Sequence, residues 1–207
     1  MMPNEVLRAI RGRRSVRRYK PDPIPKEDLN QVLDAARWAP SWANTQCCRF
    51  VVVKDKEIRA KLAETLSPGN PAVKACYEAP IVIVGCALRG RSGYKRGEAV
   101  TERGDWFMFD MGIALQNIAL AAHSLGLGTV HVGYFDFKKV GEVLNLPEEI
   151  EAVEMMPLGY PDQEPTPPPR KELSDLIYCD RYEGKELDLH KNHIENSFGQ
   201  GSLNPSS

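Results

Sequence analysis

The sequence has almost no net charge, no C-x-x-C or H-x-x-x-H spacing and no G-x-G-x-x-G fingerprint, and each absence removes a class of function. Its 27 Lys+Arg stand against 28 Asp+Glu, a formal net charge of -1, so the overall field does not recruit a polyanion such as nucleic acid. The five cysteines, Cys47, Cys48, Cys76, Cys86 and Cys179, are odd in number and include a vicinal pair, which suits neither a disulfide framework nor a zinc site. A reducing cytoplasm is the compartment this usage predicts. The opening residues MMPNEVLRAIRG hold no apolar core of a leader, so no signal peptide is expected. The longest apolar stretch, WFMFDMGIALQNIALAAHSLGLG, includes Asp110, Gln116, Asn117 and His123, which hydrocarbon would reject. It reads as a buried helix, and no membrane partner is expected.

What is present suffices for a core: 42% of 207 residues are hydrophobic, which fits one compact domain. Asn4 is placed to cap a helix with Val6, Leu7 and Ile10 on one face, ending near Gly12. PIPKEDLNQVLDAARWAP reads as a second helix with Pro25 in its first turn and Pro40 as its stop. RFVVV, PIVIVGCAL, GTVHV and EAVEMMPLGY read as strands; KEIRAKLAETL and FKKVGEVLN, the latter capped by Asp136, read as helices. The long apolar helix spans about Asp105 to Leu125 and closes at Gly126, while RGRSGYKRGEAVTERG suggests a mobile loop. Alternating helices and strands, taken alone, predict a parallel α/β fold. PDQEPTPPPR stiffens the chain into an extended arm, and a polar tail follows from near Gly184.

Two short segments carry candidate chemistry. RGRRSVRRYK concentrates six basic residues in ten positions; arginine forks match phosphate oxygens, so Arg13, Arg14, Ser15 and Arg17 could converge on one small dianion. A solvated basic turn is the equally weighted alternative, and a nucleic-acid grip is the remote one. In APSWANTQCCRF, the side chains of Ser41, Asn44 and Gln46 offer donors and acceptors suited to the edge of a heteroaromatic ligand, against the plainer reading of an ordinary helix-to-strand loop. Cys47 and Cys48 read more naturally as small buried hydrophobes than as a redox pair. His123 and His131 read as satisfied core or surface histidines sooner than as acids, His131 being the more interesting of the two should it stand beside a ligand.

Together, RRSVRRYKPDPIPKEDLNQVLDAARWAPSWANTQCCRFVVV resembles the N-terminal signature of the nitroreductase family of FMN-dependent oxidoreductases, in which R-R-S-x-R precedes A-P-S-x-x-N-x-Q at a set distance. APIVIVGCA, DMGIALQNIALAAHSLGLGTVHVGYF and PLGYPDQEPTPPPRKELSDLIYCDRY extend the likeness in the same order, over about Ile10 to Tyr182. Where many relatives have Pro-Trp after the glutamine, this chain has Cys47-Cys48.

The resemblance implies an α+β three-layer sandwich around a mostly antiparallel sheet, one domain over residues 1–182 with residues 183–207 as a tail. It implies a homodimer with FMN at the subunit interface. Carried over residue by residue, Arg13, Arg14, Ser15 and Arg170 would hold the phosphate and ribityl side, and Pro40, Ser41 and Asn44 would line the isoalloxazine. Gly133 would bring backbone close to the ring. Arg17 would lie toward the pyrimidine and stabilise charge at N1 and C2=O; Asn70 could reach that edge or simply serve its turn, and Lys171 reads as a surface residue. The implied reaction is ping-pong hydride transfer from NADH or NADPH through flavin N5 to a small electron-poor acceptor: a nitroaromatic, quinone, flavin or enone. Dehalogenation, flavin fragmentation or dehydrogenation on the same fold is the alternative.

Overall fold

In a computed structural model, residues 4–184 are described, and the chain divides into two units, Met1–Thr166 and Pro167–Ser207. The tail from residue 185 lies outside the described residues.

The first unit is built on four antiparallel strands in the order β1 (Cys48–Val53), β2 (Ile81–Leu88), β6 (Ile150–Gly159), β5 (Gly128–Thr129). Every strand pairing in this sheet is antiparallel, which corrects the parallel expectation from element alternation and agrees with the sandwich implied by the family resemblance. The physical reason is that hydrophobic period reports which face of an element is buried and carries no information on which strand it pairs with, or in which direction. The strand GTVHV is shorter than expected: two residues pair as β5, and Val132 then bridges Met155 alone.

β2 shows why both faces of the sheet are covered. Val82, Val84 and Cys86 pack into one cluster with Leu62 of α3 (Lys56–Glu64), Ala75 and Cys76 of α4 (Val73–Glu78) and Val140 of α6 (Phe137–Leu144). Ile81, Ile83 and Ala87 alternate to the other face and meet Leu29 and Val32 of α2 (Lys26–Arg37) and Met111, Leu115 and Ile118 of α5 (Phe107–Ser124). Three layers follow from that alternation. Asp55 and Asp136 cap α3 and α6 by accepting backbone N–H groups of the first turns. Among the described residues, no helix is long and apolar enough to cross a membrane.

The first helix, α1 (Glu5–Gly12), is capped by Asn4 but buries none of its residues, and Val6, Leu7 and Ile10 remain 62%, 47% and 51% exposed. Two residues at the start of α5, Met108 and Phe109, are also exposed. The segment read as a mobile loop instead carries a small hairpin, β3 (Tyr94–Lys95) with β4 (Glu98–Ala99), turning through Arg96 and Gly97, both at positive φ. In the second unit a 3-10 turn covers Leu173–Asp175, and the rings of Tyr178 and Tyr182 lie 4.7 Å apart.

Candidate functional site

The basic stretch leaves α1 and runs extended beside β5. Ser15 forms a parallel bridge with Thr129, and the Val16 N–H donates to the Thr129 carbonyl at 2.9 Å. This close approach depends on Gly128, because a Cβ there would lie 2.6 Å from Val16 Cγ2. Val16 is buried in the core, so the stretch is anchored at its centre while the arginines around it remain partly accessible.

Arg13 and Arg14 line an open hollow of about 660 Å³ with Lys20, His123, Thr129 and the segment Pro161–Pro165. Arg14 turns back on its own chain, its Nη1 donating to the carbonyls of Arg11 at 2.6 Å and Arg13 at 2.8 Å. Thr129 Oγ1 is buried without a hydrogen-bond partner in the structure, an orphan hydroxyl on the wall of a hollow rich in cationic groups. Asp162 and Glu164 also line it. Burial, then the charges of Arg13 and Arg14, hold the His123 imidazolium pKa below the ordinary histidine value.

Arg17 belongs to a second, smaller hollow of about 140 Å³, which it shares with Asn70, Pro71, His131, Gly133 and Tyr134. Asn70 ties this corner together: its Oδ1 accepts from Ala72 N, and its Nδ2 donates to the Tyr134 carbonyl at 3.3 Å. Asn70 thus does hold its turn while standing on the same wall as Arg17.

The A-P-S loop stands at a third place. Pro40 and Ser41 line a hollow of about 250 Å³ with Gln46, Cys48, Arg49 and Asp110. The loop is held in an unusual path: Ala43, Asn44 and Gln46 all have positive φ, a conformation costly for residues with a Cβ. What fixes it is a carboxylate. Asp110, 1% exposed, accepts the Trp42 N–H at 2.9 Å through Oδ1, and the Ser92 hydroxyl at 2.8 Å and the Cys47 thiol at 3.4 Å through Oδ2. Ser41 Oγ accepts the Gln46 N–H at 2.9 Å, closing the loop on itself.

Cys47 is buried and Cys48 half-buried. Their mutual hydrogen bond, followed by burial, pushes the Cys47 thiol pKa up, while the bond from Cys47, with help from Arg49, draws that of Cys48 down. Arg170 lies in the second unit, its Nη1 donating to the carbonyls of Pro168 and Pro169 at 3.3 Å. One chain therefore brings Arg17 together with Gly133, and Arg13 with Arg14, and keeps Pro40 and Ser41 in a separate hollow. Asp110 and Glu154, whose Oε1 lies 2.5 Å from His131 Nδ1, were not singled out as site residues from sequence. Asp110 had one available signal, a lone carboxylate inside an apolar helical run.

The donor sets fit a flavin mononucleotide: cationic groups and an orphan hydroxyl suit a phosphate, and amide, guanidinium and a side-chain-free backbone suit a polar ring edge. The model of the nitroreductase family matches residues 10–79 and 67–160, and the chain belongs to that family. It is 31% identical over 182 residues to the FMN reductase [NAD(P)H] of Bacillus subtilis, covering 81% of this chain and 70% of that protein. It is 30% identical over 182 residues to the iodotyrosine deiodinase of Thermotoga neapolitana, covering 78% of this chain and 91% of that one. The solved FMN-dependent nitroreductase of Clostridium difficile superposes with a TM-score of 0.69 at 28% identity, covering 85% of this chain and 99% of that chain.

Proposed function

We propose that the protein is an FMN-dependent NAD(P)H oxidoreductase that reduces small electron-poor acceptors, and that it works as a homodimer in the cytoplasm. The observation that carries this reading is the shared hollow of Arg17, Asn70 and Gly133, reached by the same extended segment that begins at Arg13 and Arg14. Arg13, Arg14 and Ser15 hold the phosphate and ribityl chain. Arg17 stabilises charge on the pyrimidine, and the backbone at Gly133 packs against the ring. Bound FMN would supply hydride-transfer chemistry, and the chain's part would be to bind and orient it. Pro40, Ser41 and Asn44 complete the ring pocket from the second copy, which accounts for their separation from Arg17 within one chain.

The exposed apolar residues of α1 and of the start of α5 support a dimer, since a monomer would leave them against water. Five free cysteines are consistent with a reducing compartment. The decisive experiment is the spectrum of the purified protein, followed by anaerobic bleaching with NADH and with NADPH. A colourless protein that does not take up FMN would overturn the reading. The likeness to a deiodinase favours one second reading, reductive dehalogenation of a haloaromatic; halide release from a halophenol under anaerobic NAD(P)H turnover would select it.

A further inference from the structure

The A-P-S loop is held in a path that its own packing does not explain. Ala43, Asn44 and Gln46 take positive φ of 45°, 56° and 49°, and all three are exposed, so burial of their side chains does not offset the strain. In the same loop Thr45 Oγ1 is buried without a hydrogen-bond partner. Strain and an unmet hydroxyl together mark a segment shaped to present groups rather than merely to connect a helix to a strand. The group that fixes the path lies on another element. Asp110 Oδ1 accepts the Trp42 N–H at 2.9 Å, at the head of the 3-10 turn Trp42–Asn44, while Oδ2 accepts the Ser92 hydroxyl near the foot of the β3–β4 hairpin and the Cys47 thiol. The bond to Trp42 thus enters the loop between Ser41 and Ala43, the first residue at positive φ.

We propose that Asp110 is a positioning residue for the flavin ring: its hydrogen bond to the Trp42 N–H keeps Pro40, Ser41 and Asn44 in the path that presents them to the ring. FMN affinity then depends on a side chain that is itself only 1% exposed. This rests on the reading that those three residues line the ring pocket. With the bond to Trp42 released, the strained path becomes one of several that the loop visits, and only the fraction of molecules still in it binds at full strength. The bond to Ser92 acts differently. It fastens the chain ahead of the hairpin to α5 and leaves the Trp42 bond in place, so its loss lowers stability without freeing the loop.

The test compares Trp42→Pro with Trp42→Ala. Both remove the indole, and only proline removes the N–H; Ser41 is extended (φ −131°, ψ 159°), as a residue before proline requires, and the first residue of a helical turn accepts proline. FMN release from each holoenzyme on serial dilution, read as recovered flavin fluorescence, gives the dissociation constant, and thermal melting gives the stability. Trp42→Pro should bind FMN about tenfold more weakly than Trp42→Ala, the size set by one lost hydrogen bond. Ser92→Ala should stay within about twofold of wild type in FMN affinity while melting at a lower temperature. Equal affinity in the two Trp42 variants overturns the proposal. So does a Ser92→Ala protein that loses FMN as strongly as Trp42→Pro, since affinity would then follow stability and not the loop. If Trp42→Pro does not fold, Asp110→Ala takes its place against Ser92→Ala, with the same contrast expected and a matched loss overturning the proposal. Failure of the wild-type protein to hold FMN overturns the function on which this inference rests, whereas the other two results leave that function standing.

Discussion

The carboxylate of Asp110 accepts the backbone N–H of Trp42 at 2.9 Å across 68 positions of sequence, from inside a helix whose other buried residues are apolar. The same group accepts Ser92 and Cys47, so one buried side chain joins α5, the A-P-S loop and the loop before α5. Asp110→Asn sets an amide N–H₂ against donors that need an acceptor, and should cost roughly 2 kcal/mol or more of stability, whereas Ser92→Ala should cost about 1. Denaturant titration of both variants checks the order; equal, small losses would show that the carboxylate fastens nothing.

A pH effect follows from His123. A Cβ at Gly12 would sit 2.7 Å from its Nε2, so the ring is packed directly on the end of α1, within the field of Arg13 and Arg14. Burial and those two charges depress its folded-state pKa, so below pH 6.5, the ordinary histidine value, the unfolded chain takes up a proton that the folded chain refuses. Stability is therefore fully present above that pH and falls as the pH drops toward the folded value. Melting temperatures recorded on either side should show a slope that His123→Gln flattens.

The cysteines should separate by reactivity. Burial pushes the Cys76 and Cys86 thiols up to about 12, and Cys47 is held protonated, whereas Cys48 is drawn down by its hydrogen bond from Cys47. Brief alkylation at mildly alkaline pH followed by peptide mapping should modify Cys48 well before Cys76 or Cys86, which should react only on unfolding. Early labelling of Cys76 would contradict its packing in the core.

Replacing the outward face of α1 tests the proposed dimer directly. Ile10→Asp adds a charge at an exposed apolar position, so it should leave the fold of a single chain nearly unchanged and shift the sedimentation coefficient toward that of a monomer. Loss of yellow colour in parallel would tie flavin retention to assembly.

Much of the element sequence was legible because caps and period are local signals: Asn4, Asp55 and Asp136 each sit where a helix starts. Strand direction was not legible, because β2 finds β1 and β6 through contacts far apart in sequence. The hairpin at Tyr94–Ala99 was hidden by its charge, although Gly93 and Gly97 marked its turns. In the site, clustered arginines announced themselves, whereas the bond between His131 and Glu154 spans 23 residues and depends on β6 lying next to the segment after β5. No spacing rule encodes a contact that the sheet creates.

Because no residue of α1 is fully buried by its own chain, its helical state draws little from the core, yet the arginine motif hangs from its last turn through the bonds of Arg14 to the Arg11 and Arg13 carbonyls. Whatever covers that helix therefore also sets how rigidly the arginines are presented. In the proposed dimer, protein concentration then becomes a hidden variable in every affinity measured for a phosphate-bearing ligand: dilution would loosen the motif before it loosened the fold.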